Sequence, residues 1–191
     1  MINIQMANNT KLTVAKICHE LANYLSIIQF MKEDIATNTE EIQELIKIID
    51  TLTYTMDFFR NIYSDNTDSN AIIDDINRIC NIKGIKIVFA ENLTETIPDN
   101  IKNSIFGIVY QIIKVSKKDD VIKISGTNDK IFIKIPEYRA FPTGVANALL
   151  YENVTDDIFN VFINYVKNIA IADGYNIVLD DYNQQVVLNR V

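Results

Sequence analysis

The chain contains one histidine, and it stands in the run Lys16-Ile17-Cys18-His19-Glu20-Leu21-Ala22-Asn23. An imidazole with an ordinary pKa of about 6.5 is mostly neutral at pH 7, so one ring nitrogen keeps a free lone pair. Glu20 is its neighbour in sequence, and Asn23 follows one helical turn on. A nitrogen nucleophile would use such groups: a carboxylate to orient or deprotonate it, and an amide to hydrogen-bond near the reacting atom. Other chemistries are poorly supplied. One His and two Cys do not make a closed set of zinc ligands. Cys18 and His19 are adjacent on a helix, so their side chains diverge by about 100°. That geometry defeats both a shared metal and a Cys–His nucleophile pair. A solvated histidine without a role fits the same residues, and at this level both readings stand.

The elements that position these groups follow from the spacing of apolar residues. Val14, Cys18, Leu21, Leu25, Ile28 and Ile35 recur at steps of four and three, interrupted by Lys32. That period predicts a helix over residues 11–36 with a packed seam. Ile17, Tyr24 and Met31 widen the seam, while Lys16, His19, Glu20, Asn23, Ser26 and Glu33 fall on the opposite, solvent-facing stripe. After a polar break at residues 37–40, Ile42, Leu45, Ile49, Leu52, Met56, Phe59 and Tyr63 repeat the pattern without interruption. Ile46, Ile48 and Phe58 flank this second stripe. Two helices of similar length on so short a loop make an antiparallel hairpin. A lone hairpin leaves one side of both seams wet, so a second copy is expected to complete a four-helix bundle dimer. The competing arrangement folds the hairpin back onto the rest of its own chain.

With 191 residues, 48% of them hydrophobic, the chain can bury a core of one large or two small domains. A net charge of −7 argues against a sequence-independent nucleic-acid surface. Two distant cysteines and no leader segment lead us to expect a reducing cytoplasm. No apolar run reaches the roughly 18 residues that a membrane span needs. The polar stretch 65–70 reads as a linker, dividing a helical hairpin (1–64) from a second domain (71–191). In that domain the period predicts a helix (71–81), a strand (85–90) and a helix opened by Pro98. Two strands (121–125, 131–135) turning at residues 126–129 come next. An irregular crossover over 136–153, with room for one helical turn, leads to a helix capped by Thr155-Asp156-Asp157, and strands 175–179 and 186–189 finish the order. This is an α+β chain whose second half is an α/β sandwich, with helices on one face of a mixed sheet. The acid pairs Asp74-Asp75, Asp119-Asp120 and Asp180-Asp181 sit at element ends and read as caps and turns.

A hairpin with His-Glu on its first helix, followed by this order of elements, resembles the dimerisation and ATP-binding halves of a sensor histidine kinase. The resemblance covers residues 12–191. It makes His19 the phosphorylated residue and Glu20 its acidic neighbour, with Leu21 and Asn23 in place. It departs at Tyr24, where the family usually has proline, and at Ala22, where many members have arginine. In the second half the outline is kept and the chemistry is not. The two asparagine positions of the kinase helix hold Gly107 and Gln111, and the place of the Asp-x-Gly-x-Gly box reads Pro136-Glu137-Tyr138-Arg139-Ala140. All five glycines are isolated, so no phosphate-cradling loop of the GxGxxG or P-loop kind exists.

A kinase-like dimer that keeps the histidine and has lost the nucleotide boxes is similar to the ChpT-type histidine phosphotransferases. Sporulation phosphotransferases of the Spo0B kind have a similar plan. The resemblance implies the middle step of a phosphorelay. A receiver-domain aspartate of a hybrid histidine kinase gives its phosphoryl group to His19, which passes it to the receiver aspartate of a response regulator. It further implies Lys16, Tyr24 and Ser26 as docking residues, Glu20 and Asn23 as assistants, no intrinsic cofactor, and Mg²⁺ in the partner receiver domain. The rival reading is a non-catalytic adaptor that binds a kinase or receiver and blocks it. A true ATP-dependent kinase would have to bind nucleotide without the missing boxes.

Overall fold

The computed structural model describes residues 18, 21–22, 25–26, 28–29, 40–64, 69–90, 97–137, 139–141, 143–150 and 161–191. They form a mixed α+β structure with one five-stranded sheet. The chain divides into two compact units, Met1–Ile82 and Lys83–Val191.

Unit 1 is helical. Residues 18, 21, 22, 25, 26, 28 and 29 are all in helix, ahead of α1 (Glu40–Tyr63) and α2 (Ser69–Lys83). Cys18 and Leu25 are buried in one cluster with Met56, and Phe59 packs against it. Further along, Gln29 Nε2 donates to Thr53 Oγ1 at 2.8 Å. Residue numbers that rise on one side and fall on the other make this pairing antiparallel.

The expected seam splits in two. Ile49, Met56 and Tyr63, seven residues apart, are buried, whereas Leu45 and Leu52, also seven apart, are 53% and 47% exposed, with Ile48 beside them at 55%. Leu21 and Ile28 repeat the split on the other helical segment and are exposed, while Cys18 and Leu25 are buried. One stripe of each helix therefore packs within the chain, and the other faces outward.

Helix α2 is tied to α1 by Asn61 Nδ2 donating to Asp75 Oδ2 at 2.7 Å. The Arg78 guanidinium also lies 5.2 Å above the Tyr54 ring. Ile72, Ile76 and Ile79, at steps of four and three, are buried along α2. Of the expected linker, residues 65–68 lie outside the described residues.

Unit 2 contains the sheet. Its strands are β1 (Lys86–Phe89), β2 (Val121–Thr127), β3 (Lys130–Lys134), β4 (Tyr175–Asp180) and β5 (Gln185–Arg190), in the spatial order β1-β2-β3-β5-β4. Strands β1 and β2 are parallel, and the crossover between them contains α3 (Asp99–Val115). The remaining pairs are antiparallel. One face of the sheet is buried through Ile122, Ile124, Ile131, Ile133, Val186 and Leu188. Along α3, Ile101, Ile105, Ile108 and Ile112 recur at helical spacing and are fully buried. Phe106 of α3 meets Phe89 of β1 at 6.2 Å between ring centroids. Helix α5 (Val161–Ala172) packs on α3, with Phe162 edge-on to Tyr110 at 5.8 Å.

Three expectations need correction. Asp74-Asp75, read as an element end, lies in the middle of α2 (Ser69–Lys83). The segment read as an irregular crossover with room for one helical turn contains a helix of eight residues, α4 (Thr143–Leu150). Gly144 weakens it locally, but Pro142 precedes its first residue, where proline is tolerated. Ala146, Ala148, Leu149 and Leu150 favour helix, and it buries Leu149. The β2–β3 turn is also tighter than residues 126–129. Pairing extends to Thr127 and Lys130, leaving Asn128-Asp129 as a two-residue turn. Gly126 sits inside β2 at φ +127°, where a Cβ would lie 2.1 Å from the Lys130 carbonyl oxygen. The cap at Thr155-Asp156-Asp157 lies outside the described residues.

Candidate functional site

Of the residues singled out for phosphotransfer and docking, Lys16, His19, Glu20, Asn23 and Tyr24 lie outside the described residues. Ser26 is helical and exposed, and its hydroxyl donates to the Ala22 carbonyl at 2.9 Å. That local bond satisfies the hydroxyl donor. Cys18 and Ala22, from the same run of sequence, are described.

These two residues line a cavity of about 250 Å³ with Met56, Asp57, Arg60, Tyr63 and Ser64. On α1, Met56, Arg60 and Tyr63 are four and three residues apart, so one helix face supplies most of that wall. The Arg60 guanidinium pairs with Asp57 one turn earlier and remains 65% exposed. Tyr63 stacks on Phe59, with ring centroids 6.4 Å apart. Burial pushes the Cys18 thiol above its usual pKa, an effect the Arg60 charge partly offsets. A thiol so raised is a poor nucleophile at neutral pH, and Cys18 acts as core. Nearby, burial also raises the Asp75 carboxyl, opposed by its hydrogen bond from Asn61.

In unit 2 the positions that the kinase resemblance assigns to a nucleotide are packed or pinned. Gly107 of α3 lies under Val166 of α5. A Cβ at 107 would stand 2.4 Å from Val166 Cγ2 and 3.1 Å from Cγ1. The two helices are locked there by Ser104 Oγ donating to the Val166 carbonyl at 3.2 Å. Gln111, one turn on, is buried. Position 107 thus offers a magnesium–nucleotide complex neither an oxygen ligand nor space for one, so the fit fails there.

The segment in place of the glycine-rich box is fastened at both ends. Ile135 N–H donates to the Gln184 carbonyl at 2.8 Å. Arg139 forks onto Asp120, with Nε to Oδ2 at 2.9 Å and Nη2 to Oδ1 at 3.3 Å. Asp120 also accepts the Lys117 amide at 2.8 Å. That amide, with the Arg139 guanidinium, holds its carboxyl below the usual range. Among the described residues, no group of three or more His, Cys, Asp or Glu is placed to hold a metal ion.

The chain is similar to a solved bacterial phosphotransferase. The match covers 96% of this chain and 95% of that one at a TM-score of 0.64 and 12% sequence identity. A histidine kinase of Acinetobacter baumannii, AdeS, matches at a TM-score of 0.38 and 14% identity, covering 89% of this chain and 94% of that one. No family model matches the sequence, and no curated protein does. Among the described residues, no helix is long and apolar enough to cross a membrane.

Sequence reasoning missed Asp57 and Arg60. They belong to the helix after the His-Glu stretch, and only the antiparallel pairing brings them beside Cys18 and Ala22. A signal was present: Arg60 extends the Met56 face by one turn and is the sole arginine in the first 77 residues.

Proposed function

We propose that the chain is a cytoplasmic histidine phosphotransferase of a multistep phosphorelay, with His19 as the phosphorylated residue. The observation that supports it is the likeness in fold to a bacterial phosphotransferase over nearly the whole of both chains. It falls on a chain whose one histidine is followed in sequence by a glutamate, between the helical residues Cys18 and Leu21. In the proposed reaction a lone pair of the His19 imidazole attacks the phosphorus of an aspartyl phosphate on a receiver domain. The N–P bond forms as the P–O bond to the aspartate breaks, and the aspartate leaves as a carboxylate. The proton on the far ring nitrogen is shared with Glu20, which balances the positive charge that develops. Transfer to a second receiver reverses these steps. Most of the rate comes from placing the reactants in line and neutralising charge, with Mg²⁺ held by the receiver. Asn23 hydrogen-bonds near the phosphoryl group, and Lys16, Tyr24 and Ser26 contact the receiver.

The working form in this proposal is a homodimer. Leu21, Ile28, Leu45, Ile48 and Leu52 are exposed in the single chain, and a second hairpin would cover that second stripe of each helix. The experiment is transfer from a phosphorylated receiver. Wild type should acquire acid-labile, base-stable phosphate, and His19→Ala should acquire none while keeping the fold. Glu20→Gln should slow transfer. A chain that binds the receiver but is never phosphorylated is an adaptor, and the proposal fails.

A further inference from the structure

Charge on the sheet is unevenly distributed. The adjacent strands β1, β2 and β3 carry Lys86, Lys123, Lys130 and Lys134 and not one carboxylate, in a chain of net charge −7. The register decides where they point. Lys86 lies opposite Val121, and Lys123 lies opposite Lys134. Residues two apart on a strand share a face, so all four lysines stand on one face, the reverse of the buried isoleucine face. All four are exposed. Lys130 Nζ rests 5.2 Å above the Phe132 ring. Among the described residues, Lys86, Lys123 and Lys134 have no carboxylate within ion-pair distance.

Two further observations bear on what this face would hold. Like charges directly opposite each other weaken a strand pair, so the Lys123–Lys134 pairing costs stability that an anion set between them would return. The lysines are also interleaved with apolar groups. Val88 is 47% exposed and Val178 40%, on the same face as half-buried Phe132. At one end a cleft of about 400 Å³ is lined by Val121, Lys123, Lys134, Ile135 and Pro136. Asp119 and Glu137 also line it, while Asp120 there is engaged by Arg139.

We propose that this open sheet face is a docking surface for an acidic protein segment, one whose Asp or Glu side chains alternate with apolar ones. The lysines set the sign of the partner. The valines, Phe132 and the side-chain-sized cleft favour a polypeptide over a bare phosphate backbone. A nucleic acid or an anionic bilayer reaches well past the face and meets the repulsion of an acidic chain. A short segment feels the local field within about a Debye length, roughly 8–10 Å. The surface uses no residue of unit 1, so it stands or falls apart from the phosphotransfer reading.

The test uses the full chain and a fluorescein-labelled peptide of alternating Glu and Leu, followed by anisotropy and by amide chemical shifts. Binding should weaken with salt, shift amides of β1, β2 and β3, and be absent with a Gln-Leu peptide. Lys123→Glu replaces a like-charge pair with an unlike one, so it should raise the melting temperature while weakening binding about tenfold or more. Glu137→Gln should tighten it. The inference is overturned if wild type does not bind, if the shifts map elsewhere, or if Lys123→Glu binds as well as wild type. Tighter binding of a single-stranded oligonucleotide or of phosphatidylserine vesicles would also overturn it.

Discussion

Replacing Gly107 by alanine sets two known effects against each other. In a helix interior Ala is favoured over Gly by about 1 kcal/mol, so on propensity alone the change stabilises α3. The structure argues the opposite. The new methyl would stand 2.4 Å from Val166 Cγ2, with Cγ1 and Cβ at 3.1 and 3.3 Å, where carbon pairs prefer about 3.5–4.0 Å. Val166 is fully buried, and the Ser104 bond to its carbonyl resists parting the helices. Overpacking of a rigid site costs about 1–3 kcal/mol, here at the upper end, so the net expectation is a loss of about 2 kcal/mol. Val166→Ala alone removes two buried carbons and should also cost about 2 kcal/mol. The double variant should recover at least about 1 kcal/mol relative to the sum, because each change makes room for the other. Urea unfolding followed by circular dichroism reads the total. Hydrogen exchange in α3 and α5 isolates unit 2, which need not unfold together with unit 1. A Gly107→Ala chain as stable as wild type, or an additive cycle, would refute the packing argument.

Three other expectations follow from the geometry. Leu52→Glu places a charge on the outward stripe of α1, so light scattering should show monomers and circular dichroism an intact fold; a wild type that is monomeric at micromolar concentration removes the dimer. Calorimetry with Mg-ATP up to millimolar ligand should show no binding heat, and a micromolar dissociation constant would bring back the kinase reading. Asp120 has a folded pKa below its unfolded value, so its contribution to stability is full above about pH 4 and fades as acid titrates it through the lower folded pKa. Asp120→Asn should therefore flatten the acid limb of a stability–pH curve, and an unchanged limb would show that the Lys117 amide and Arg139 contribute nothing.

The sequence made the helices legible because their apolar steps are regular, and the strands because each ends at a turn residue or a charge. Periodicity could not say which of two seven-residue stripes packs within the chain. Leu45 and Ile49 are equally apolar, and only the pairing with Cys18 and Leu25 separates them. It also did not show the length of α4 (Thr143–Leu150), because Pro142 and Gly144 read as loop residues and only the fold buries Leu149. The sheet lysines look like scattered solvated residues along the chain, and the strand register alone gathers them on one face. The cavity beside Cys18 was hidden for the same reason, since Asp57 and Arg60 come from a different helix. Gly107 was visible as a missing side chain, but not as a contact point, because nothing in α3 announces Val166.

The sheet order has a kinetic consequence. Strands β2 and β3 meet across a two-residue turn, and β4 and β5 across a short one, so each hairpin forms with little loop entropy to overcome. Joining β3 to β5 encloses residues 135–184, and closure entropy grows by about 0.6 kcal/mol for each doubling of loop length. The seam between the hairpins should therefore be the last part of the sheet to form. Until it does, β3 is an open edge with Ile131, Phe132 and Ile133 exposed to any other strand. Lysine is the residue that most discourages such edge-to-edge pairing, and Lys130 and Lys134 stand at the two ends of that edge.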